Sequence, residues 1–289
     1  MVTLIVPRAR AGHMTRIAIC APATPIDREV AAAVTELAAR EFPGLVLAFH
    51  EQCFSEDGHF AGHDGERLAA LLDCATDAAT DAVWFAKGGY GSNRIAPDAV
   101  EQLKGRNLSM PFFGYSDCGY LHAAFARHGI GRAVHGPMPV DMRRGGGAEA
   151  VRRALGWFAG DSEGVERSAG GGNPVVAFNL TTLAMVCGTP LMPDLAGAEV
   201  MVEEVGEHLY AIDRLFFHVT AHLQGVAGLR VGRFGAVPEN DRPFGLEPID
   251  IARHWCEKSG IHFLGSADIG HDGANRIVPF TLAAAPARS

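Results

Sequence analysis

No stretch of this chain is apolar over the roughly 20 residues that a membrane-crossing helix needs. The opening MVTLIVPRARAGH has too short an apolar run for a signal peptide. A membrane partner is therefore not expected, and the protein reads as cytoplasmic. Lysine and arginine form no run or stripe, and 25 of them against 33 aspartates and glutamates leave a formal charge of −8. A chain of this kind does not track phosphates, which excludes nucleic acid as an expected partner. The six cysteines, Cys20, Cys53, Cys74, Cys118, Cys187 and Cys256, contain no C-x-x-C pair. That spacing argues against both a zinc site and a secreted disulfide framework and favours reduced, buried thiols. The 13 histidines are read as forming no H-E-x-x-H motif or comparable ligand pair, so no metal site is expected.

What is present describes a folded protein. Of 289 residues, 48% are hydrophobic and 20% charged, enough for one large α/β unit or two units of roughly 150 residues each. The segment before Met14 adds no convincing element; Met1 to His13 reads as an extension and Met14 as an alternative start.

Through the first half, short apolar runs alternate with amphipathic stretches, the pattern of a parallel sheet flanked by helices. Strands are predicted at 17–20, 45–49, 82–85, 112–115 and 133–135, with helices near 28–41, 66–74, 97–103 and 118–127. The composition shifts at 143–147 and again at the glycine-rich 169–172. The expected organisation is an α/β domain over 14–145, a linker region over 146–172 that includes a helix at 147–158, and a second domain over 173–289. In that second domain, strands are predicted at 200–203, 261–264 and 276–280, and helices near 209–223 and 249–258.

Four segments carry candidate chemistry. FFGYSDCGYLH, residues 112–122, runs a strand into a Gly-Tyr-Ser-Asp turn and then a helix, as a nucleophile elbow does. Such a turn lifts the Ser116 hydroxyl above the strand ends, and the Asp117 amide and the helix N-terminus can hold a developing oxyanion. The second glycine, Gly119, falls one position later than in G-x-S-x-G, and the same residues would also serve as a helix N-cap. AKGGYGSNRI, residues 86–95, is a glycine loop in which Gly88 and Gly89 can let a substrate approach the backbone, or simply a tight turn. It lacks the G-K-[ST] ending of a phosphate-binding loop. VMVEEVGEHLYAIDR, residues 200–214, places Glu203 and Glu204 at a strand end, where a carboxylate can orient an imidazole or merely face a helix dipole. GSADIGHDGANRIVPF, residues 265–280, holds His271 in a glycine-flanked loop, a setting for a general base or for a solvated side chain. Cys118 is a less favoured nucleophile, since a small thiol beside a helix start more often packs into the core.

Together and in this order, the four segments resemble the LD-carboxypeptidase family, the murein tetrapeptide carboxypeptidases, which includes the microcin C immunity peptidases. The resemblance begins at the APATP turn of residues 21–25, passes through HFAGHDGER at 59–67 and ends in His271, Asn275 and Pro279. It implies a parallel α/β N-terminal domain bearing the nucleophile and a smaller, strand-rich C-terminal domain bearing the acid and base. Carried over residue by residue, it makes Ser116 the nucleophile, Glu203 the acid and His271 the base, with oxyanion amides from Asp117 and Gly89. It further implies a serine peptidase that needs no cofactor, takes a small peptide substrate in peptidoglycan recycling and forms a homodimer. Lys87 and Arg94 are the expected cations for a substrate carboxylate. Lys87 stands where the family commonly has arginine, and Cys118 and Gly119 depart from its usual S-D-[IVT]-T; these departures bear on substrate preference.

Overall fold

The alternating pattern of the first half becomes a six-stranded sheet in the computed structural model, which describes residues 14–170 and 172–282. The proposed extension before Met14 lies outside the described residues. In chain order the elements are β1 (Thr15–Cys20), α1 (Arg28–Glu41), β2 (Leu45–Phe49), α2 (Asp64–Thr76), β3 (Ala82–Phe85), α3 (Ser92–Leu103), β4 (Pro111–Gly114), α4 (Gly119–His128), β5 (Arg132–His135) and α5 (Gly147–Phe158). Then follow β6 (Val175–Asn179), α6 (Leu180–Val186), β7 (Glu199–Val205), α7 (Leu209–His222), β8 (Gly228–Gly235), α8 (Pro248–Ser259), β9 (Phe263–Ser266) and β10 (Val278–Pro279). Among the described residues no helix is long and apolar enough to cross a membrane.

The first sheet has the order β10-β5-β4-β3-β1-β2, and every pairing is parallel except that of β10 with β5. Every residue of β3 and β4 is buried, as expected of central parallel strands covered by helices on both faces. The helix expected inside the linker region, α5, packs its aromatic end on this sheet: Trp157 and Phe158 lie 5.3 and 5.0 Å from Phe113, ring centre to ring centre. The second sheet, β6-β7-β8-β9, is also wholly parallel. The molecule is thus α/β throughout, with the smaller sheet in the C-terminal region as expected.

Four details differ from the sequence reading. The helix expected at 97–103 begins at Ser92, because its N-terminus is capped by Asp117 from another turn rather than by a neighbour in sequence. Strands β6 and β8 were not anticipated. β8 reads GLRVGRFG, whose glycines and arginines hide a strand from a hydrophobicity pattern, and β6 runs into α6 with no turn residue between them. The strand expected at 276–280 is reduced to β10 and joins the first sheet, so the chain returns to its N-terminal half after completing the second sheet.

Candidate active site

The carboxyl end of β4 delivers Ser116. Its backbone is left-handed, at φ 61°, a conformation that costs a non-glycine residue about 1–2 kcal/mol. The sharp turn points the hydroxyl away from the sheet and toward His271, whose Nε2 lies 2.9 Å from Ser116 Oγ. The other ring nitrogen, Nδ1, hydrogen-bonds Glu203 Oε2 at the end of β7. The three sequence-predicted residues come from distant segments, 155 positions apart at the extremes, and the structure brings them into one chain of hydrogen bonds between the two sheets. Glu203 is fully buried; burial pushes its carboxyl pKa up, and the adjacent His271 opposes that shift.

Glu204 is held quite differently. Its Oε1 accepts from Asn179 and from the Val205 amide, and its Oε2 accepts from the Thr181 amide and hydroxyl. It therefore fastens the start of α6 to β7. Glu203 takes the other direction because successive side chains of a strand point to opposite faces, and β8 carries a bulge opposite it: Val202 pairs with Val231 but Glu204 pairs with Phe234. Bulges are common beside active sites. Gly232 occupies the bulge, and a Cβ there would sit 2.6 Å from the Ile269 carbonyl and 3.1 Å from Glu203 Cβ.

The loop of His271 is fixed from several sides. Arg233 pairs with both Asp268 and Asp272, and Arg153 donates to the Asn275 carbonyl at 2.7 Å. Asn275 Oδ1 accepts from the Gly270 amide at 3.1 Å. Tyr115 lies against the imidazole at 4.8 Å between ring centres and donates its hydroxyl to Asp141 at 2.8 Å. Arg144 pairs with Asp141 and donates to the His271 carbonyl. A ring held this way keeps its orientation toward both partners.

The glycine loop closes the other side. A Cβ on Gly88 would meet Ser116 Cβ at 3.0 Å, Ser116 Oγ at 3.2 Å and the Asp117 nitrogen at 3.3 Å. The Asp117 amide therefore lies beside the nucleophile and the loop backbone. Gly89, at φ 106°, packs on Thr24, whose hydroxyl donates to the Gly88 carbonyl at 2.6 Å. Buried Arg67 donates to the Pro22 and Gly91 carbonyls at 2.6 and 2.8 Å, tying the APATP turn, the HFAGHDGER segment and the loop together. Arg94 is engaged by Asp64 at 2.9 Å and lies over the Phe60 ring. Lys87 is half-buried and has no ion-pair partner among the described residues. Cys118 is fully buried, and burial raises its thiol pKa well above the ordinary value, leaving a neutral, packed group.

Both halves of the chain match one family. The LD-carboxypeptidase N-terminal domain matches residues 17–136, and the LD-carboxypeptidase C-terminal domain matches residues 173–285. The chain belongs to the LD-carboxypeptidase family. Among LD-carboxypeptidase relatives, the murein tetrapeptide carboxypeptidase of Pseudomonas aeruginosa is 27% identical over 92% of this chain and 91% of that protein. The crystal structure of muramoyltetrapeptide carboxypeptidase from Oxalobacter formigenes shares the fold with a TM-score of 0.75, at 24% identity over 91% of this chain and 92% of that one. So does the microcin C7 self-immunity protein MccF in complex with aspartyl sulfamoyl adenosine, with a TM-score of 0.72, at 16% identity over 97% and 98% of the two chains.

Several residues that shape this LD-carboxypeptidase site carry no local sequence signal, namely Arg233, Gly232, Tyr115 and Asp141. No histidine ligand pair was expected, yet His218 and His222 stand four apart on α7, a spacing that puts two imidazoles on one face. The six cysteines are free and buried, as expected.

Proposed function

We propose that this LD-carboxypeptidase family member is a serine peptidase that hydrolyses the L,D-peptide bond of murein tetrapeptide and releases terminal D-alanine. The observation that carries the reading is the Ser116–His271–Glu203 chain, with the hydroxyl 2.9 Å from one imidazole nitrogen and a fully buried carboxylate on the other. This is the constellation in which an imidazole activates a serine.

His271 Nε2 takes the Ser116 hydroxyl proton as Oγ bonds to the carbonyl carbon, and the carbonyl electron pair moves onto oxygen. The amides of Asp117 and Gly89 hold that oxyanion. Collapse breaks the C–N bond, His271 returns the proton to the leaving D-alanine nitrogen, and an ester on Ser116 remains. Water, deprotonated by His271, attacks the ester; Ser116 Oγ recovers the proton and the acid product leaves. Glu203 holds the tautomer and stabilises the imidazolium. Lys87, free of any ion pair among the described residues and adjacent to Gly88, is the better candidate for the substrate carboxylate, since Arg94 already has Asp64. The reading places the enzyme in the cytoplasm, in peptidoglycan recycling, and as a homodimer.

The deciding assay is release of D-alanine from murein tetrapeptide by the wild type, by Ser116→Ala and with an all-L peptide. Release by wild type alone and from the L,D bond alone supports the proposal. Retained turnover in Ser116→Ala sinks the nucleophile. Absence of release together with cleavage of an aminoacyl sulfamoyl nucleotide would transfer the same site to that acyl group.

A further inference from the structure

Outside the candidate active site, Cys187, His218 and His222 bring one thiol sulfur and two imidazole nitrogens to within 4.8 Å of one another. Cys187 is the residue that ends α6, and the histidines stand four apart on α7, where that spacing puts both on one face. From this cluster we infer a transition-metal site, with zinc(II) as its ion, held by the Cys187 thiolate and the His218 and His222 imidazoles.

Zinc with one sulfur and two nitrogens in tetrahedral geometry sets its ligand atoms about 3.3–3.6 Å apart. Small rotations of side chains at the surface close the remaining gap, and His222 is exposed while Cys187 is buried. A second observation concerns which nitrogen is available. His222 Nδ1 lies 2.9 Å from the His218 carbonyl, the partner that typically fixes the tautomer of a metal-bound histidine. That leaves Nε2, which lies 3.8 Å from the position of a Cβ on Gly188, the residue next to Cys187. The thiolate–imidazole donor set favours a borderline-soft d-block ion and disfavours magnesium and calcium. Three protein ligands at the rim leave the fourth position to water.

The ion would join α6 to α7. The Thr182 hydroxyl of α6 lies 3.4 Å from the Ser116 carbonyl, and α7 follows the strand that carries Glu203. The inferred site is about 8 Å along α6 from Thr182, apart from the reacting groups, so it clips the helices without entering the chemistry.

The test uses the full chain, freed of metal by a chelator and exchanged into clean buffer. Competition against a chromophoric zinc chelator should give one equivalent of zinc(II) with a Kd of roughly micromolar or tighter, and zinc should raise the melting temperature. His222→Ala, a change at an exposed position, should weaken binding at least about tenfold and remove the melting shift. Cobalt(II) should produce a near-ultraviolet thiolate charge-transfer band that Cys187→Ser abolishes. Substoichiometric uptake, or a band and affinity unchanged in the two variants, would overturn the inference. If Cys187→Ser does not fold, His222→Ala decides alone.

Discussion

Ser92 donates its backbone amide to Asp117 Oδ2 at 2.8 Å and its hydroxyl to the Asp117 carbonyl at 2.5 Å. The serine turn thereby caps the helix that follows the glycine loop, and the two loops of the candidate site behave as one unit. Asp117→Ala removes the acceptor for the Ser92 and Gly91 amides and should cost about 1–2 kcal/mol, the usual loss for a helix cap. Asp117→Asn keeps an acceptor and should lose less. Because the Asp117 backbone amide survives in both, kcat should fall more in the alanine variant, where the glycine loop is released from Ser116. Equal melting temperatures for the two variants would refute the capping role.

Gly88→Ala tests how closely the loop approaches the nucleophile. The added Cβ would sit 3.0 Å from Ser116 Cβ and 3.2 Å from Oγ, tighter than ordinary contact. The serine must turn from His271, so kcat should drop about 10²-fold, the scale expected for a misplacement near 1 Å, with little change in the melting temperature. Wild-type kcat in this variant would show that the loop stands farther away.

Ser116 also predicts a stability difference between two inactive variants. Alanine keeps the left-handed strain at φ 61°, whereas glycine adopts that region freely. Ser116→Gly should therefore be more stable than Ser116→Ala by about 1 kcal/mol, read from urea midpoints. Equal midpoints would mean that no strain is stored at the turn.

Local pattern made candidates of the residues that touch in the hydrogen-bond chain, each where one element ends and the backbone turns, Ser116 after β4, Glu203 near the end of β7 and His271 between glycines, and the family resemblance singled them out. Their supports were not legible. Arg233 clamps the His271 loop from inside β8, and an arginine in a strand reads as solvent-facing until its two aspartate partners are brought near by the fold. Gly232 reads as a strand breaker, and only the β7–β8 register reveals the bulge that lies opposite Glu203. The early start of α3 was hidden for the same reason, since its cap lies 25 residues away. Local patterning specified the parallel strands of the first half well, where buried strands read as apolar runs, and failed at β6, which follows closely on the glycine-rich stretch, and at β8 and β10, where pairing depends on distant partners.

Adjacent carboxylates should respond oppositely to the same substitution. Glu203→Gln removes a buried charge whose Oε1 has no hydrogen-bond partner, so stability should hold or rise. It also removes the group that stabilises the imidazolium, so kcat should fall about 10²–10⁴-fold. Glu204→Gln replaces an acceptor of four hydrogen bonds with a group that turns donors toward donors. It should cost about 1–3 kcal/mol while kcat per folded molecule stays near wild type. Reversed phenotypes would mean that Glu204 is the functional acid.

Buried His122 makes the stability depend on acid in a window that its location defines. It lies in the core against Phe85 and Phe280, and burial, together with nearby His135, lowers its pKa to about 3. In the unfolded chain the same imidazole titrates near 6.5. Above about pH 6.5 both states are neutral, and the contribution to stability is fully present. As pH falls below that value the unfolded state gains a proton that the folded state refuses, and stability is lost at about 1.4 kcal/mol per pH unit. The loss continues until the folded pKa, about 3, is reached. His122→Gln removes this dependence, so its stability difference from the wild type should shift in the variant's favour by about 2 kcal/mol between pH 6.5 and pH 5. Subtracting the two proteins cancels the other titrating groups, including buried Asp117 and Asp141, whose carboxyl pKa values burial raises and whose effect on stability runs the other way. Urea midpoints across that interval provide the measurement, and a difference that stays flat with pH would mean that His122 takes up a proton in the folded core.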